Sequence, residues 1–247
     1  MIFSEQTWTG IDDLLKVARV AAILPCGATE AHGPHLPLNT DVIIAEGMAH
    51  RAAALLRKRD VTALVLPSLH YAPAEYAAAF PGTISIGVEV AKTVMLDIAR
   101  SVQRQGVAVI GLANAHFDPA NVAMLREAAQ AMSAIGLAVA FPDFTRRTLA
   151  QTLTREFISG ACHAGQFETS LVLAERPDLV DRTAALGLAE NPSSLTDAFT
   201  RGAKTFAEAG GPQAYFGAPA AASAEEGEAS FAIMARALAD AVVEALG

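Results

Sequence analysis

Short apolar runs alternate with longer helical stretches along most of this chain of 247 residues. The pattern predicts four strands and five helices. The strands are Val20–Leu24, Thr62–Leu66, Val107–Leu112 and Leu137–Phe141, and the helices are Val42–Arg57, Val88–Gln105, Ala120–Ile135, Gln166–Ala174 and Ala229–Leu246. Strands that alternate with helices pair in parallel, with helices over both faces of the sheet. We therefore predict an α/β fold, a three-layer α/β/α sandwich with a mostly parallel central sheet, as a single domain over residues 1–247.

The composition argues against several classes of partner. The chain has a net charge of −8, so it lacks the excess positive charge that nucleic acid binding requires. No uninterrupted run of about 18 apolar residues is present, which argues against a membrane span. The first residues lack the basic start and apolar stretch of a signal peptide, so the expected location is the cytoplasm. Cys26 and Cys162 fit no disulfide framework or zinc ribbon, and we expect small buried apolar residues at both positions.

The sequence between residues 30 and 41 carries the strongest functional signal. It holds two carboxylates and two imidazoles, those of Glu30, His32, His35 and Asp41. Gly33, Pro34 and Pro37 disfavour a helix, so these groups are predicted to lie on a loop. The loop follows the first predicted strand, and open α/β sheets place their active sites beyond the carboxyl ends of such strands. Carboxylates and imidazoles are ligands for Zn²⁺ and Mn²⁺, so the loop predicts a metal-dependent enzyme.

Two further segments carry similar groups. His116 and Asp118 follow the third predicted strand, whereas His163 and Glu168 lie where a helix is predicted to begin. Taken alone, His116 is more simply a polar loop residue and Glu168 an acidic residue that stabilises a helix N-terminus. Together with the loop, however, they supply more ligands than one ion needs. Two divalent ions about 3.5–4 Å apart, bridged by a carboxylate and a water, would use these ligands, lower the pKa of the water and polarise a carbonyl group.

Several stretches of the sequence form recognisable motifs. They are Leu24–Pro37 followed by Thr40-Asp41, then Phe80–Ser85, then His163-Ala164-Gly165 with Glu168-Thr169-Ser170, and finally Gly217–Pro219 with Ala222–Gly227. These motifs resemble those of the creatininase (creatinine amidohydrolase) family, and the resemblance extends over most of the chain. It implies an α/β/α sandwich with a two-metal site, assembled as a homohexamer. It also implies hydrolysis of C–N bonds in small molecules such as cyclic amides, imides and formamides.

The resemblance further implies a role for each candidate residue. One divalent metal ion would be held by Glu30, Asp41 and His116, and the other by His32 and the shared Asp41, completed by Asp118 or Glu168. The two ions would be Zn or Mn, with Fe as an alternative, and a hydroxide bridging them would attack the substrate. His163 would be the general acid/base, with Glu168 as a second catalytic candidate, and His35 would support a ligand or contact the substrate.

Two departures from the family pattern bear on the metals and the substrate. Many members have His-Gly-Gly-Asn after the third strand, where this chain has His116-Phe117-Asp118-Pro119-Ala120-Asn121. Creatininase itself has an acidic residue at the position of Asp118, but aspartate is one methylene shorter than glutamate, which would alter metal coordination. The family also often has Ser-x-Glu-His before Phe-Pro-Gly-Thr, whereas residues 73–79 are one residue longer and have Tyr76 near the histidine position. That loop is predicted to face the substrate, which argues against creatinine itself.

The later part of the chain has a different composition. Residues 176–228 are rich in Gly, Pro, Ala and Ser and have weak periodicity, so we predict irregular structure over the site or at a subunit contact. Creatininase covers its flat substrate ring with aromatic residues from later loops. Phe167, Tyr215 and Phe216 are the candidates for that role here, and packing in the core is the alternative interpretation of each.

Three functional hypotheses follow from these observations. The first is a two-metal amidohydrolase. The second is a family member that binds a metal or small ligand without hydrolysing it, although the retained His163 and metal ligands argue against this. The third is a different hydrolysis at the same metals, such as phosphoester cleavage, but the acidic charge balance and the absence of a glycine-rich phosphate loop argue against it. The same absence argues against a nucleotide cofactor.

Overall fold

The centre of the structure is a four-stranded sheet in which every strand runs parallel to its neighbours. A computed structural model describes residues 1–247. The strands are β1 (Val20–Cys26), β2 (Thr62–Val65), β3 (Val109–Asn114) and β4 (Ala138–Ala140), and their order is β2-β1-β3-β4. Ala22 of β1 pairs with Leu64 of β2 on one side and with Ile110 of β3 on the other. Because parallel neighbours need a long crossover connection, a helix lies between each pair of consecutive strands.

Ten α-helices surround the sheet. They are α1 (Trp8–Val17), α2 (Thr40–Arg57), α3 (Val88–Arg104), α4 (Pro119–Ala134), α5 (Arg147–Ala150), α6 (Arg155–Ser159), α7 (Gln166–Glu175), α8 (Arg182–Gly187), α9 (Leu195–Thr200) and α10 (Ala224–Leu246). Helices α2, α7 and α10 pack on one face of the sheet, and α3 and α4 cover the other face. None of the helices combines the length and the apolarity needed to cross a bilayer.

Successive residues of β1 face two different cores. Ala21 and Ile23 pack with α2, α7 and α10 in a cluster of 32 buried residues. Ala22 and Leu24 point the opposite way and pack with α3 and α4 in a cluster of 16. Every residue of β1 is buried, as expected for a central parallel strand with helices on both faces. The structure therefore confirms the predicted three-layer sandwich with a parallel sheet.

The four predicted strands and five predicted helices are all present, although their ends differ by a few residues. The largest difference is at α10, which begins at Ala224 rather than Ala229. The reason is an N-cap, because the Ser223 hydroxyl accepts a hydrogen bond from the backbone N–H of Glu226 (3.2 Å). Helix α1 was not predicted; the Thr7 hydroxyl caps it, and its buried Ile11 packs near the edge of the sheet.

Residues 176–228 have little regular structure, as predicted. They contain the short helices α8 and α9, a few single 3₁₀ turns and the first residues of α10. Backbone hydrogen bonds between Asn191 and Gly217, 2.6 and 2.8 Å long, hold two distant parts of this region together. The region therefore has a defined conformation without a sheet or a long helix.

The crossing of α10 over α7 depends on a residue without a side chain. A β-carbon on Gly227 would overlap the backbone carbonyl group of Ser170 in α7, so the two helix backbones approach closely here. We expect Gly227→Ala to lower the free energy of unfolding by about 1–3 kcal/mol, because the helices must separate to accept the methyl group. Urea denaturation measures the change. Gly187→Ala is the matched control, since nothing lies within 4 Å of a β-carbon there, and equal stability of the two variants would contradict the expectation.

Candidate metal centre

The carboxyl ends of the two central strands bring the predicted site residues together. The loop after β1 carries Glu30 and His32, and Asp41 lies in the first turn of α2. His116 follows β3, the neighbour of β1 in the sheet. The segment before α7 adds His163 to the same region. All five side chains are at least nine-tenths buried, which is unusual for charged groups unless they are paired or hold a metal.

Three side chains form a first potential ligand set. One ligand atom from each of Glu30, Asp41 and His116 lies within 4.8 Å of the others. The Nδ1 atom of His116 is 3.2 Å from Glu30 Oε1 and 2.9 Å from Asp41 Oδ2. Two carboxylates and one imidazole converging in this way match the ligand preferences of Zn²⁺ and Mn²⁺.

A second potential set shares Asp41 with the first. It consists of His32, Asp41 and Glu168. The Nε2 atom of His32 is 3.0 Å from Asp41 Oδ1 and 3.5 Å from Glu168 Oε2. The two oxygens of Asp41 thus face different histidines, so this carboxylate is placed to bridge two metal ions. A third combination, Glu30 with His32 and His163, overlaps both sets.

Backbone carbonyl groups fix the orientation of the imidazoles. The contacts are His32 Nδ1 with Glu30 (3.1 Å), His116 Nε2 with Pro73 (2.7 Å) and His163 Nε2 with Ala31 (2.9 Å). A carbonyl oxygen only accepts hydrogen bonds, so in each ring the bonded nitrogen carries the hydrogen. The other nitrogen of each neutral ring is then left with a lone pair that points at the carboxylates. Metal-binding histidines are held in this way in many proteins.

Two atoms in the centre are buried without a hydrogen-bond partner, namely His32 Nε2 and Asp41 Oδ2. Both have a close polar neighbour, but neither contact has the geometry of a hydrogen bond. Leaving such groups unsatisfied in the interior costs about 1–3 kcal/mol each. One divalent cation in each ligand set would satisfy these atoms, because His32 belongs to one set and Asp41 to both. The residues present therefore fit a pair of metal ions.

The pKa values show how strongly the centre attracts positive charge. Burial alone lowers the pKa of His32, but Asp41, Glu168 and Glu30 outweigh that effect and raise it to about 10. The pKa of His116 is also raised, because Glu30 and Asp41 outweigh burial. For Glu168, burial is the largest cause and raises the pKa to about 8, against the opposing effect of His32. Without a metal, protons therefore occupy the positions that face the carboxylates.

Metal binding should displace these protons. At pH 7 we expect Zn²⁺ loading of the metal-free protein to release at least one proton per chain, first from His32, whose pKa is raised to about 10, because a metal ligand must be deprotonated. The Zn²⁺ affinity should accordingly fall as the pH is lowered. Titration in weak buffer with a pH-indicator dye measures the release, and His35 should add nothing because burial lowers its pKa to about 4. Release of less than one proton would contradict these pKa shifts.

His163 differs from the other two histidines in its electrostatic surroundings. Burial, followed by the nearby charge of His32, holds the pKa of His163 well below its usual range. Its ring lies between the rings of His32 and Phe206, with 4.3 Å between centroids on each side. Its Nδ1 atom is 3.8 Å from Glu30 Oε1. His163 is therefore a neutral imidazole beside the potential metal ligands, with one nitrogen able to accept a proton.

The carboxylate of Glu156 fixes the segment that carries His163. It accepts hydrogen bonds from the backbone N–H groups of Gln166 (2.9 Å), Phe167 (2.8 Å) and Ala218 (2.7 Å). The first two belong to the N-terminal turn of α7, where N–H groups have no partner within the helix. Sequence reasoning missed Glu156, since a single glutamate in a short helix gives no signal until its partners are known.

Two other predicted residues lie outside the three ligand sets. Asp118 caps α4, where its Oδ1 accepts a hydrogen bond from Ala120 N–H (2.7 Å), and its Oδ2 is buried without a partner. Asp118 thus has a structural role as the N-cap of α4. Glu168, rather than Asp118, lies beside His32. The Nε2 atom of His35 lies 2.8 Å from the hydroxyl of Thr169, one residue beyond Glu168. His35 therefore contacts the helix that carries Glu168.

A cavity of about 670 Å³ opens onto the centre. Glu30, Asp41, His116, His163 and Glu168 line one part of it, and its aromatic residues are Tyr76, Phe117, Phe144, Phe157, Phe199 and Phe206. Tyr76 thus faces the cavity, as predicted for the loop of residues 73–79. Asp118 and Cys162 also line it; Cys162 is partly buried and packs against the large core cluster, whereas Cys26 is buried.

The aromatic lining comes from residues that the sequence did not indicate. Phe167, Tyr215 and Phe216 are buried in the protein core and do not line the cavity, so core packing is the correct interpretation of these three. Phe199 and Phe206 line it instead, both from the irregular region that was predicted to lie over the site or at a subunit contact. A region without periodicity gives no signal for which of its aromatic residues point inward.

Comparison with known proteins gives an independent result. Residues 4–242 match a family model described as Creatininase, creatinine amidohydrolase. The mycofactocin precursor peptide peptidase of Mycobacterium ulcerans (strain Agy99) is 32% identical over 218 residues, which is 86% of this chain and 80% of the relative. The creatinine amidohydrolase of Pseudomonas putida is 30% identical over 193 residues, or 72% of each chain.

Solved structures agree with the sequence matches. A crystal structure of creatinine amidohydrolase (creatininase) is similar with a TM-score of 0.78 and 27% identity, covering 98% of this chain and 96% of the other. A structure described as creatininase Mn has a TM-score of 0.77 and 27% identity, covering 98% and 97%. A creatininase mutant described as Zn-Zn type has a TM-score of 0.77 and 26% identity, again covering 98% and 97%.

Proposed function

This chain belongs to the creatininase family of metal-binding hydrolases, and from that premise we propose that it hydrolyses an amide C–N bond at a pair of divalent metal ions. The observation that carries the proposal is the position of Asp41. Its two oxygens face His32 and His116, which belong to two different ligand sets in the same buried centre. A carboxylate shared in this way is expected at a two-metal site.

The proposed ligands follow from the geometry of the two sets. Glu30, Asp41 and His116 would hold one ion, and His32, Asp41 and Glu168 would hold the other. When bound, such a pair of Zn or Mn ions activates water for attack and polarises the carbonyl group of the substrate. The neutral His163 stands next to these ligands and faces the cavity, where a substrate amide would lie.

His163 is proposed to move the proton that amide hydrolysis requires. Its Nε2–H is held by the carbonyl group of Ala31, so the ring stays oriented while Nδ1 exchanges a proton. Nδ1 would accept a proton from the attacking water and donate it to the nitrogen of the C–N bond that breaks, so that a carboxylic acid and an N–H group are formed. The low pKa of this buried imidazole makes it a ready proton donor once protonated. Phe206 packs against the ring and limits its rotation.

The size and the aromatic lining of the cavity are the basis for the proposed substrate class. A small cyclic amide, imide or formamide would fit between the metal centre and the aromatic wall. A second candidate is a C–N bond within a peptide. The cavity of about 670 Å³ is larger than one small ring requires, and one relative carries the name of a peptidase. The non-catalytic alternative predicts metal binding without turnover of any of these compounds.

A substrate panel tests the proposal. The Zn- or Mn-loaded protein would be incubated with cyclic amides, imides, formamides and short peptides, and the hydrolysis products would be quantified by liquid chromatography and mass spectrometry. We expect product from at least one class, and none from the chelator-treated protein or from the Asp41→Asn variant purified in the same way. Metal-loaded protein that hydrolyses no compound of any class would support the binding-protein alternative instead.

A further inference from the structure

One wall of the cavity carries positive charge in a chain whose net charge is −8. This wall consists of residues from α4 and from the segment around α5. Its polar members are Arg126, Thr145, Arg147 and Gln151. The wall also includes Phe144 and Ala150, so the guanidinium groups stand beside apolar surface. The metal centre, in contrast, supplies carboxylates and imidazoles to the same cavity.

The arginines near this wall outnumber the carboxylates that pair with them. Asp143 binds Arg126, with 2.6 Å between Oδ2 and a terminal nitrogen, and Arg146, with 3.2 Å between Oδ2 and Nε. Arg147 makes no ion pair and no side-chain hydrogen bond, although it lines the cavity. Two guanidinium groups thus share the single carboxylate of Asp143, and Arg147 has no carboxylate partner. The local excess of positive charge favours binding of an anion in this part of the cavity.

We propose that the substrate is an amide that carries a carboxylate group, and that Arg147 binds this carboxylate while the amide lies at the metal centre. This inference rests on the proposed hydrolysis of an amide bond at the same cavity. A guanidinium group suits the planar carboxylate because it can donate two parallel hydrogen bonds. Arg126, which is held in place by Asp143, lines the same cavity. N-acylated amino acids and the C-terminal residues of peptides share this chemistry.

The aromatic residues of the cavity indicate what the rest of the substrate should be. Phe117, Phe144, Phe157 and Phe199 line the cavity together with the arginine wall and the metal centre. An apolar or aromatic side chain between the amide and the carboxylate would bury its surface against these rings. We therefore expect an N-acyl derivative of an apolar amino acid to bind better than one of a charged amino acid.

The test compares two probes that differ only in the carboxylate. These are N-formyl-L-phenylalanine and N-formyl-2-phenylethylamine, titrated calorimetrically into the zinc-loaded full-length protein, with formate release measured in parallel. We expect the acid to bind about tenfold more tightly, because a hydrogen bond to a charged group is worth about that much at an accessible site. The preference should weaken as the salt concentration rises, because Arg147 is exposed.

Two arginine variants make the result specific. Arg147→Gln should abolish the preference for the acid and, if the acid is hydrolysed, raise its KM about tenfold without changing kcat, because ground-state binding alone is removed. Arg155→Gln is the matched control, since Arg155 is also exposed and unpaired but does not line the cavity. Unchanged zinc content in both variants shows that the centre is intact.

The outcomes separate this inference from the proposed reaction. If the acid binds in an Arg147-dependent way but no formate appears, the anion site stands and the hydrolysis proposal fails for this class. If both probes are hydrolysed equally well, the reaction stands and the anion site is refuted. The anion site is also refuted if neither probe binds, or if Arg155→Gln removes the preference as fully as Arg147→Gln does.

Discussion

Replacing Asp41 with asparagine is expected to empty both metal positions at once and to lower kcat/KM by more than about a thousandfold, since loss of a supporting group alone costs 10- to 100-fold at metal sites. Asparagine has nearly the same shape, but it lacks the negative charge and one of the two acceptor oxygens. The Oδ1 and Oδ2 atoms of Asp41 each face a different histidine, His32 at 3.0 Å and His116 at 2.9 Å. One substitution therefore weakens both ligand sets.

Metal content by plasma mass spectrometry and kcat/KM on the same preparation measure this effect. Asp118→Asn is the matched control, because Asp118 is also a buried carboxylate that lines the cavity but lies outside the ligand sets. It should keep both ions, whereas Glu168→Gln should lose one. If Asp118→Asn lost one ion and Glu168→Gln lost none, Asp118 would complete the second set and the assignment of Glu168 would be wrong.

The His163→Ala variant is expected to keep both ions and to lose turnover. We expect kcat to fall by about 10²- to 10⁴-fold, the usual contribution of a general acid/base, with a much smaller change in KM. The physical reason is that Nδ1 of His163 lies beside the centre, 3.8 Å from Glu30 Oε1, while Nε2 is held by the carbonyl group of Ala31. Loss of the ring removes the group that carries the proton but leaves both ligand sets in place.

Steady-state kinetics and metal analysis of the same sample check this expectation. His35→Gln is a suitable comparison, because His35 is equally buried but contacts Thr169 rather than the cavity, and its kcat should change far less. Loss of a metal ion from His163→Ala would show that His163 is itself a ligand, as the combination with Glu30 and His32 allows. Full activity of the variant would refute the role in proton transfer.

Much of the fold was predictable because local patterns and tertiary structure agree. Val20–Leu24 is apolar at every position, a pattern typical of a strand covered by helices on both faces. The same strand predicted where the site lies, since Glu30 and His32 directly follow it. His116 follows the neighbouring strand, and parallel strands direct their carboxyl ends to one edge of the sheet.

The remaining features depend on contacts that no local pattern reveals. The sequence left Asp118 and Glu168 as alternatives for the second ligand set, because only the three-dimensional contacts distinguish them: Asp118 is the N-cap of α4, and Glu168 lies beside His32. Phe199 and Phe206 reach the cavity from a region without periodicity. The structural role of Glu156 depends on hydrogen bonds from backbone N–H groups that are distant in sequence, such as that of Ala218. The cytoplasmic location and the homohexamer stay predictions.

The number of metal ions per chain tests the central claim most directly. Plasma mass spectrometry of protein purified without chelator, then of the same protein after chelation and reloading with Zn²⁺ or Mn²⁺, gives this number. The shared Asp41 between two ligand sets predicts about two ions per chain in the loaded protein. Protein that holds one ion or none per chain after reloading would contradict the two-metal centre and the hydrolysis derived from it.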